Sequence, residues 1–282
     1  MSKFSKNGMR IDIPIGADAK DFFLEINKHL KGLRKQDISC WWEMVAGWKK
    51  KYPVIRPEYS TRNSLNPYVF VKALADAASA GDIIFVDAGC VTPWMSQSFE
   101  FKEGQRYFHA FNHFSMGYAL PAAMGASIAL DRKPVICVSG DGGLQMNIQE
   151  LATVIRYDLP IKIFIVNNHG YGMIQQTQDQ WLGSRYLASS IEGGLAEPDL
   201  VIVAKAYGFM TYNLTTNQEV QRQIAKVLAE PGQVFCNVEI RPEERVIPQV
   251  KFGRPIEDAE PLLERQEFFE NMIVEPLDAS RK

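Results

Sequence analysis

Residues 134–143 read PVICVSGDGG, and residues 161–172 read IKIFIVNNHGYG. Each stretch begins as an apolar run and ends in glycine and polar residues. A continuous apolar run of this length, without alternation, predicts a strand that is buried on both faces of a sheet. Ligands bind at the carboxyl ends of strands in open α/β sheets, so the two polar endings predict a binding site.

Similar apolar runs occur on both sides of this pair, IIFV at 83–86 and VFCNVEI at 234–240. Helix-like segments separate the runs, and they occupy residues 116–130, 147–157 and 218–229. Strands that alternate with helices predict the α/β class. We therefore expect a three-layer α/β/α fold around a central, mostly parallel sheet.

The patterns divide the chain into four segments. Residues 1–35 include RIDIPIGADAKDFFLEINKHL at 10–30, which predicts one strand and one helix, too little to close a core. Residues 36–64 are aromatic and basic and are interpreted as a helical linker. Residues 65–241 hold the alternating pattern. Residues 242–282, rich in proline and charge, are expected to form an extended tail over the domain or a neighbour.

Composition excludes two classes of partner. The chain has 282 residues and a formal net charge of -2, so it lacks the basic field of a nucleic-acid-binding protein. It contains no apolar run near the roughly 20 residues that span a bilayer. Its first residues, MSKFSKNGMR, do not resemble a signal peptide. We expect a cytoplasmic protein that binds neither nucleic acid nor membrane.

The polar strand endings carry oxygen ligands for a metal ion. Asp141 offers a carboxylate, Asn168 an amide oxygen, and the bend at Gly170 can turn a backbone carbonyl inward. These three oxygen ligands together carry one negative charge. Such a set leaves Mg²⁺ with positive charge and coordination sites for a diphosphate.

The glycines of GDGG admit a second interpretation. Gly140, Gly142 and Gly143 lack a Cβ, so backbone amides can approach phosphate oxygens, but a GDGG turn alone equally fits a tight strand-to-helix turn. The asparagine pair that ends the next strand favours the ligand site. A nicotinamide or nucleotide site would need GxGxxG with a later acidic residue or GxxxxGK[ST], and the sequence has neither.

GDG at 140–142 followed by NN at 167–168 resembles the thiamine diphosphate motif of decarboxylases and carboligases. FSMGYALPAAMGASIAL at 114–130 and NNHGYGMIQQTQDQWLGSRYLAS at 167–189 resemble the acetolactate synthase branch, and the resemblance covers essentially the whole chain. It implies the thiamine diphosphate-binding fold in residues 65–241. It also implies that residues 1–35 correspond to the end of the family's middle domain.

The resemblance implies roles for individual residues. Asp141, Asn168 and the Gly170 carbonyl would bind Mg²⁺. Met116 would hold the bent cofactor, although a methionine that fills a gap beneath a helix is the alternative, and the Phe114 carbonyl would accept from the cofactor's amino group. The expected cofactor-binding set is Phe114, Met116, Gly140, Asp141, Gly142, Gly143, Asn168, Gly170, Tyr171, Gly172 and Met173.

Residues near this set have two interpretations each. His169 lies beside the diphosphate loop, and Gln175, Gln176 and Gln178 are expected to face the substrate channel or to be solvated. Trp94 is expected near the cofactor, in the core or at an interface.

The sequence departs from the acetolactate synthases at two places. CVTPW at 90–94 replaces their Gly-Gln-His-Gln cluster, where Thr92 could contact the diphosphate. Thr177 replaces a tryptophan that shapes their second-substrate pocket.

No part of the sequence resembles the family's pyrimidine-binding domain, which supplies the activating glutamate. We expect a partner chain to supply that domain, within a homo- or hetero-oligomer, or the chain to be a truncated product or an excised fragment. No catalytic residue can be assigned within this chain.

The sequence is consistent with three functions. The first is acetolactate synthase-like decarboxylation of a 2-oxoacid followed by carboligation to a second carbonyl compound. The second is simple 2-oxoacid decarboxylation with release of an aldehyde. The third is a cofactor-binding module without turnover.

Overall fold

The computed structural model describes residues 11–30, 32, 33 and 36–281, and the chain packs as two units that divide between Pro53 and Val54. The first unit contains the helices Ala19–Leu30 (α1) and Ser39–Lys51 (α2). The helix expected at the start of the chain is confirmed. The strand expected before it is not formed at residues 11–16, because the described part of this unit offers no second strand to pair with; Arg10 lies outside the described residues.

The second unit contains a parallel sheet and its covering helices. Its strands are Ile83–Val86 (β1), Arg106–His109 (β2), Val135–Gly140 (β3), Ile161–Asn167 (β4), Met210–Leu214 (β5) and Val234–Glu239 (β6). Its helices are Pro57–Ser60 (α3), Pro67–Ala77 (α4), Val91–Ser98 (α5), Ala119–Ala129 (α6), Asp141–Gln145 (α7), Glu150–Arg156 (α8), Gly172–Trp181 (α9), Leu200–Ala206 (α10), Asn217–Ala229 (α11) and Arg265–Asn271 (α12).

The described strands form one sheet in the order β2-β1-β3-β4-β6-β5, and every neighbouring pair is parallel. Val86 pairs with Val138, and Gly140 pairs with Val166, so the carboxyl ends of β1, β3 and β4 lie at one edge. The predicted central parallel sheet is confirmed.

The two edge strands, β2 and β5, were not predicted from the sequence. Their sequences, RYFH and MTYNL, are short and partly exposed, whereas β3 and β4 are almost wholly buried. An edge strand has only one paired side and needs no continuous apolar run. A search for continuous apolar runs therefore identifies the central strands of this sheet and misses its edge strands.

Helices cover both faces of the sheet. Buried side chains of α4, α5 and α11 pack on the face that carries Ile136 and Val138. Side chains of α6, α8 and α10 pack on the opposite face, with Val135 and Cys137. The alternation along β3 sends neighbouring side chains into different cores. The three-layer α/β/α architecture follows.

The C-terminal segment is less extended than the sequence predicts, since it includes α12 and a 3-10 turn at Asp278–Arg281. Its beginning lies on α9, where Gln176 Oε1 accepts a hydrogen bond from the Val246 N–H at 3.0 Å. Among the described residues, each helix is too short or too polar to cross a membrane.

Candidate functional site

A cavity of about 220 Å³ lies at the carboxyl ends of β1, β3 and β4. The chain moves from β1 outward to β2 and from β3 in the opposite direction to β4, so the cavity lies where the strand order reverses. Such switch points are the usual ligand sites of open α/β sheets. Every residue of the predicted cofactor set lines this cavity: Phe114, Met116, Gly140, Asp141, Gly142, Gly143, Asn168, Gly170, Tyr171, Gly172 and Met173.

Asp141 connects the two strand-end loops. Its Oδ2 accepts a hydrogen bond from the Gly170 N–H at 2.8 Å, and its Oδ1 accepts one from the Gly142 N–H at 2.8 Å. The side chain is buried, and burial raises its pKa to about 7 although both backbone hydrogen bonds oppose that shift. A nearby cation would keep this carboxyl ionised and offset the cost of its burial.

Asn168 is buried beside Asp141, and its Nδ2 has no hydrogen-bond partner among the described residues. Rotation of the amide exchanges nitrogen and oxygen, so the side chain can present either atom to a ligand. The Gly170 carbonyl accepts one bond, from the Gly172 N–H at 3.1 Å, and keeps a second lone pair.

Two glycines of the loop after β4 make close contacts that leave no room for a Cβ. A Cβ at Gly170 would lie 2.5 Å from the Ser189 carbonyl oxygen, and one at Gly172 would lie 2.8 Å from Asn168 Nδ2. Because both distances are below van der Waals contact, an added Cβ would have to displace the Ser189 backbone at Gly170 and the Asn168 side chain at Gly172. The same contacts hold backbone atoms of the loop close to the cavity.

The loop with Phe114 and Met116 forms an open wall of the cavity. Phe114 has a positive φ of 51°, which is uncommon for a side chain of its size. Phe114 and Met116 are 42% and 43% exposed. Since half-exposed apolar side chains beside a cavity can contact a ligand, this wall is suited to an apolar ring system.

Asp87, which sequence reasoning missed, holds that loop in place. Its carboxylate follows β1 directly, is 1% exposed, and accepts hydrogen bonds from the N–H groups of Gly117 and Ala119. Burial raises the pKa of Asp87, against the opposing effect of these backbone bonds. The available signal was an acidic residue at the end of the buried run IIFV.

His169 is turned away from the cavity, at a positive φ of 57°. Its Nδ1 is 3.0 Å from Glu197 Oε2, and its Nε2 contacts Glu239 Oε1. Burial lowers the pKa of His169, but the hydrogen bond and charge of Glu239 and the charge of Glu197 outweigh burial, so the pKa lies above its ordinary value. His169 therefore belongs to a neighbouring polar cluster.

The glutamines expected to face a substrate channel are used by the fold. Gln175 Nε2 donates to the Ser189 carbonyl at 2.6 Å, and Gln178 Nε2 donates to the Leu187 carbonyl at 3.2 Å. Gln176 contacts the C-terminal segment. Buried amides are normally hydrogen-bonded within the protein. Gln175 and Gln178 therefore hold the loop that contains Leu187 and Ser189.

The remaining predicted positions have mixed outcomes. Trp94 lines the cavity, yet it is also core, and its indole donates to the Arg245 carbonyl at 3.3 Å. Thr92 is buried and donates to the Asp87 carbonyl. Thr177 donates to the Met173 carbonyl at 3.1 Å, within α9.

The oxygen atoms at the cavity suit a hard cation. Within the described chain, no three histidine, cysteine or acidic side chains converge as a metal centre. The predicted set needs only one carboxylate, because its other ligands are an amide and a backbone carbonyl. A diphosphate would provide further oxygen ligands for a Mg²⁺ ion.

Comparison with known proteins points to the same region. The family "Thiamine pyrophosphate enzyme, C-terminal TPP binding domain" matches residues 87–238. The acetolactate synthase large subunit of Cyanidium caldarium is 30% identical over 83% of this chain and 39% of its own length. That of Buchnera aphidicola (subsp. Schizaphis graminum) is 32% identical over 86% and 42%.

The isozyme 3 large subunit of Escherichia coli is 29% identical over 86% of this chain and 43% of its own length. The chain spans about two fifths of the length of these curated relatives.

Proposed function

Because the chain belongs to the thiamine pyrophosphate enzymes and contains their C-terminal cofactor-binding domain, we propose that its strand-end cavity holds thiamine diphosphate through Mg²⁺ and serves acetolactate synthase-like chemistry. The observation that carries the proposal is the hydrogen bond from the Gly170 N–H to the Asp141 carboxylate. It brings the two predicted metal-binding loops together. A shared ion requires that proximity.

The proposed metal ligands are the Asp141 carboxylate, the Asn168 amide oxygen and the Gly170 carbonyl. Support comes from the buried, high-pKa carboxyl and from the amide that lacks a partner. Buried groups of this kind are stabilised when they bind an ion.

The diphosphate is proposed to lie against the backbone of Gly140, Gly142 and Gly143 on one side and of Gly172 on the other. Added side chains at Gly142 or Gly172 would meet Tyr171 or Asn168. Backbone N–H groups of such close loops are the donors that phosphate oxygens use. Those of Gly142 and Gly172 would exchange their bonds to Asp141 and Gly170 for bonds to phosphate.

Met116, Phe114, Tyr171 and Met173 are proposed to position the cofactor's rings. The open wall formed by Phe114 and Met116 leaves one side of the cavity uncovered. We propose that a pyrimidine-binding domain covers that side and supplies the activating glutamate, in a homo- or hetero-oligomer.

Bound thiamine diphosphate supplies the electron sink for decarboxylation of a 2-oxoacid. The chain's residues would orient the cofactor and exclude water around its reactive carbon. We propose carboligation of the resulting unit to a second carbonyl compound. The cytoplasmic location expected from the sequence stays a prediction.

Calorimetry with the full chain tests the cofactor site. Wild type should bind thiamine diphosphate with Mg²⁺ and lose binding with EDTA. Asp141→Asn should weaken binding at least about tenfold, a loss of roughly 1.4 kcal/mol or more. Asp158→Asn is the matched control, because Asp158 is exposed and has a positive φ that asparagine tolerates.

Equal affinity of wild type and Asp141→Asn would contradict the metal assignment, as would wild-type binding that ignores EDTA. Turnover is tested with pyruvate and an added pyrimidine-binding domain. Acetolactate supports carboligation, acetaldehyde alone indicates a simple decarboxylase, and bound cofactor without either product indicates a module without turnover.

A further inference from the structure

A second cavity, of about 340 Å³, lies at the carboxyl ends of β4, β5 and β6. It is distinct from the thiamine diphosphate cavity, and no described residue lines both. The polar residues that line it are Asn167, His169, Glu197, Asp199, Asn213, Asn237 and Glu239. Three of these side chains are acidic, so the lining is rich in hydrogen-bond acceptors.

Two buried acceptors in this lining have no partner in the described part of the chain. They are Oε1 of Glu197, whose side chain is 7% exposed, and Oδ1 of Asn237, which is 4% exposed. Buried polar atoms without partners are costly and rare in folded proteins. A ligand with N–H donors would remove that cost.

The other atoms of these side chains are already engaged and fix their orientation. Glu197 Oε2 is 3.0 Å from His169 Nδ1. Asn237 Nδ2 donates to Asn213 Oδ1 at 2.8 Å and to Glu239 Oε2 at 3.0 Å. The two unpartnered oxygens are therefore held in place before any ligand binds, which reduces the entropy cost of binding.

The ligand that fits is an organic cation and not a metal ion. No three acidic, histidine or cysteine side chains converge as a metal centre within the described residues. The cavity is also far larger than an ion, and Ile191, Leu200 and Val201 give it an apolar side. A volume near 300 Å³ is at the lower end of small-molecule sites.

We propose that this second cavity binds a small primary ammonium compound, with the ammonium at Glu197 and Asn237 and an apolar body beside Val201. An ammonium has one positive charge and three N–H donors, which suits two unpartnered oxygens and a net acidic lining. The proposal does not depend on thiamine diphosphate.

The test is a titration of the full chain, without thiamine diphosphate, with n-butylammonium chloride, followed by amide chemical shifts. Saturable shifts around β4, β5 and β6 are expected. Glu197→Gln keeps the side-chain volume and removes the charge, so the Kd for n-butylammonium should rise at least about tenfold. That change corresponds to about 1.4 kcal/mol of binding free energy. Glu192→Gln is the matched control, since Glu192 is exposed and does not line this cavity.

n-Butanol has a similar apolar body without the charge and should not bind. Val201→Phe, which fills the apolar side without altering an acceptor, should abolish n-butylammonium binding and serves if Glu197→Gln does not fold. Absence of saturable shifts in wild type would overturn the proposal and indicate that water satisfies the buried oxygens. Equal binding of n-butanol, or displacement of n-butylammonium by Mg²⁺, would also overturn it.

Discussion

Oδ1 of Asp87 accepts a hydrogen bond from the N–H of Gly117 at 2.9 Å, which ties the end of β1 to the loop that carries Met116. The other oxygen accepts from the Ala119 N–H at 3.1 Å, at the start of α6. One carboxylate therefore fixes the direction in which the loop leaves the sheet. The open wall of the cofactor cavity depends on this contact.

Replacement of Asp87 with alanine should destabilise the protein by about 2–4 kcal/mol, because buried N–H groups would lose their acceptor. Cofactor affinity should fall as the Met116 loop moves. Urea unfolding and calorimetry measure the two effects. Asp82→Ala is the control at the opposite end of β1, where the lost bond to the Ser79 N–H is exposed. Equal losses in both variants would contradict a special role for Asp87.

The contrast between Asp141 and Asp87 explains what the sequence could predict. Asp141 lies in a motif whose residues are close in the sequence or at a fixed spacing, and the cavity contains the whole predicted set. Asp87 acts on a loop 30 residues away, so its role depends on strand order. Strand order is a tertiary property that a local pattern does not specify.

The glutamines of α9 show a different limit. A polar residue at the start of a helix can be exposed to solvent, contact a substrate or form a buried hydrogen bond to another segment. Only the tertiary packing distinguishes these cases. Gln176 is buried because the C-terminal segment covers it. That segment was predicted to lie over the domain or a neighbour, and the sequence did not indicate where it would pack.

Gly170→Ala should destabilise the protein by about 1–3 kcal/mol and abolish cofactor binding. The added Cβ would lie 2.5 Å from a backbone oxygen of Ser189, which cannot rotate away as a side chain would. Gly125→Ala is the matched control, because Gly125 lies within α6 with no atom near its Cβ position. It should be neutral or stabilise by about 0.5–1 kcal/mol. Normal stability of Gly170→Ala would contradict the steric assignment.

Arg245→Ala should release the C-terminal segment from α9 and cost about 1–3 kcal/mol. The guanidinium donates to Asp179 Oδ2 at 2.9 Å and to Tyr186 Oη at 3.2 Å, and the ion pair is only 15% and 30% exposed. Arg222→Ala, which breaks an exposed pair with Glu219, should change stability by less than about 0.5 kcal/mol. Thermal unfolding of both variants distinguishes them.

The same ion pair predicts a pH dependence. Burial raises the pKa of Asp179, but hydrogen bonds from Tyr186, Arg245 and Ser184 outweigh it, so the pKa lies below the ordinary 3.8. A lowered carboxyl pKa contributes stability above the ordinary value and loses it as the pH falls through the folded-state value. The difference between wild type and Arg245→Ala should persist at neutral pH and shrink below pH 3.8. A difference that grows on acidification would contradict the pairing.

The variant Met116→Ala tests whether the Met116 side chain contacts the cofactor or packs within the fold. Met116 is 43% exposed, so its removal should change the free energy of unfolding by less than about 0.5 kcal/mol. Met95→Ala is the matched control, because Met95 is fully buried and its loss should cost about 2–5 kcal/mol. Calorimetry should show weaker thiamine diphosphate binding for Met116→Ala at unchanged stability. A large loss of stability with normal cofactor affinity would instead show that Met116 fills a gap in the fold.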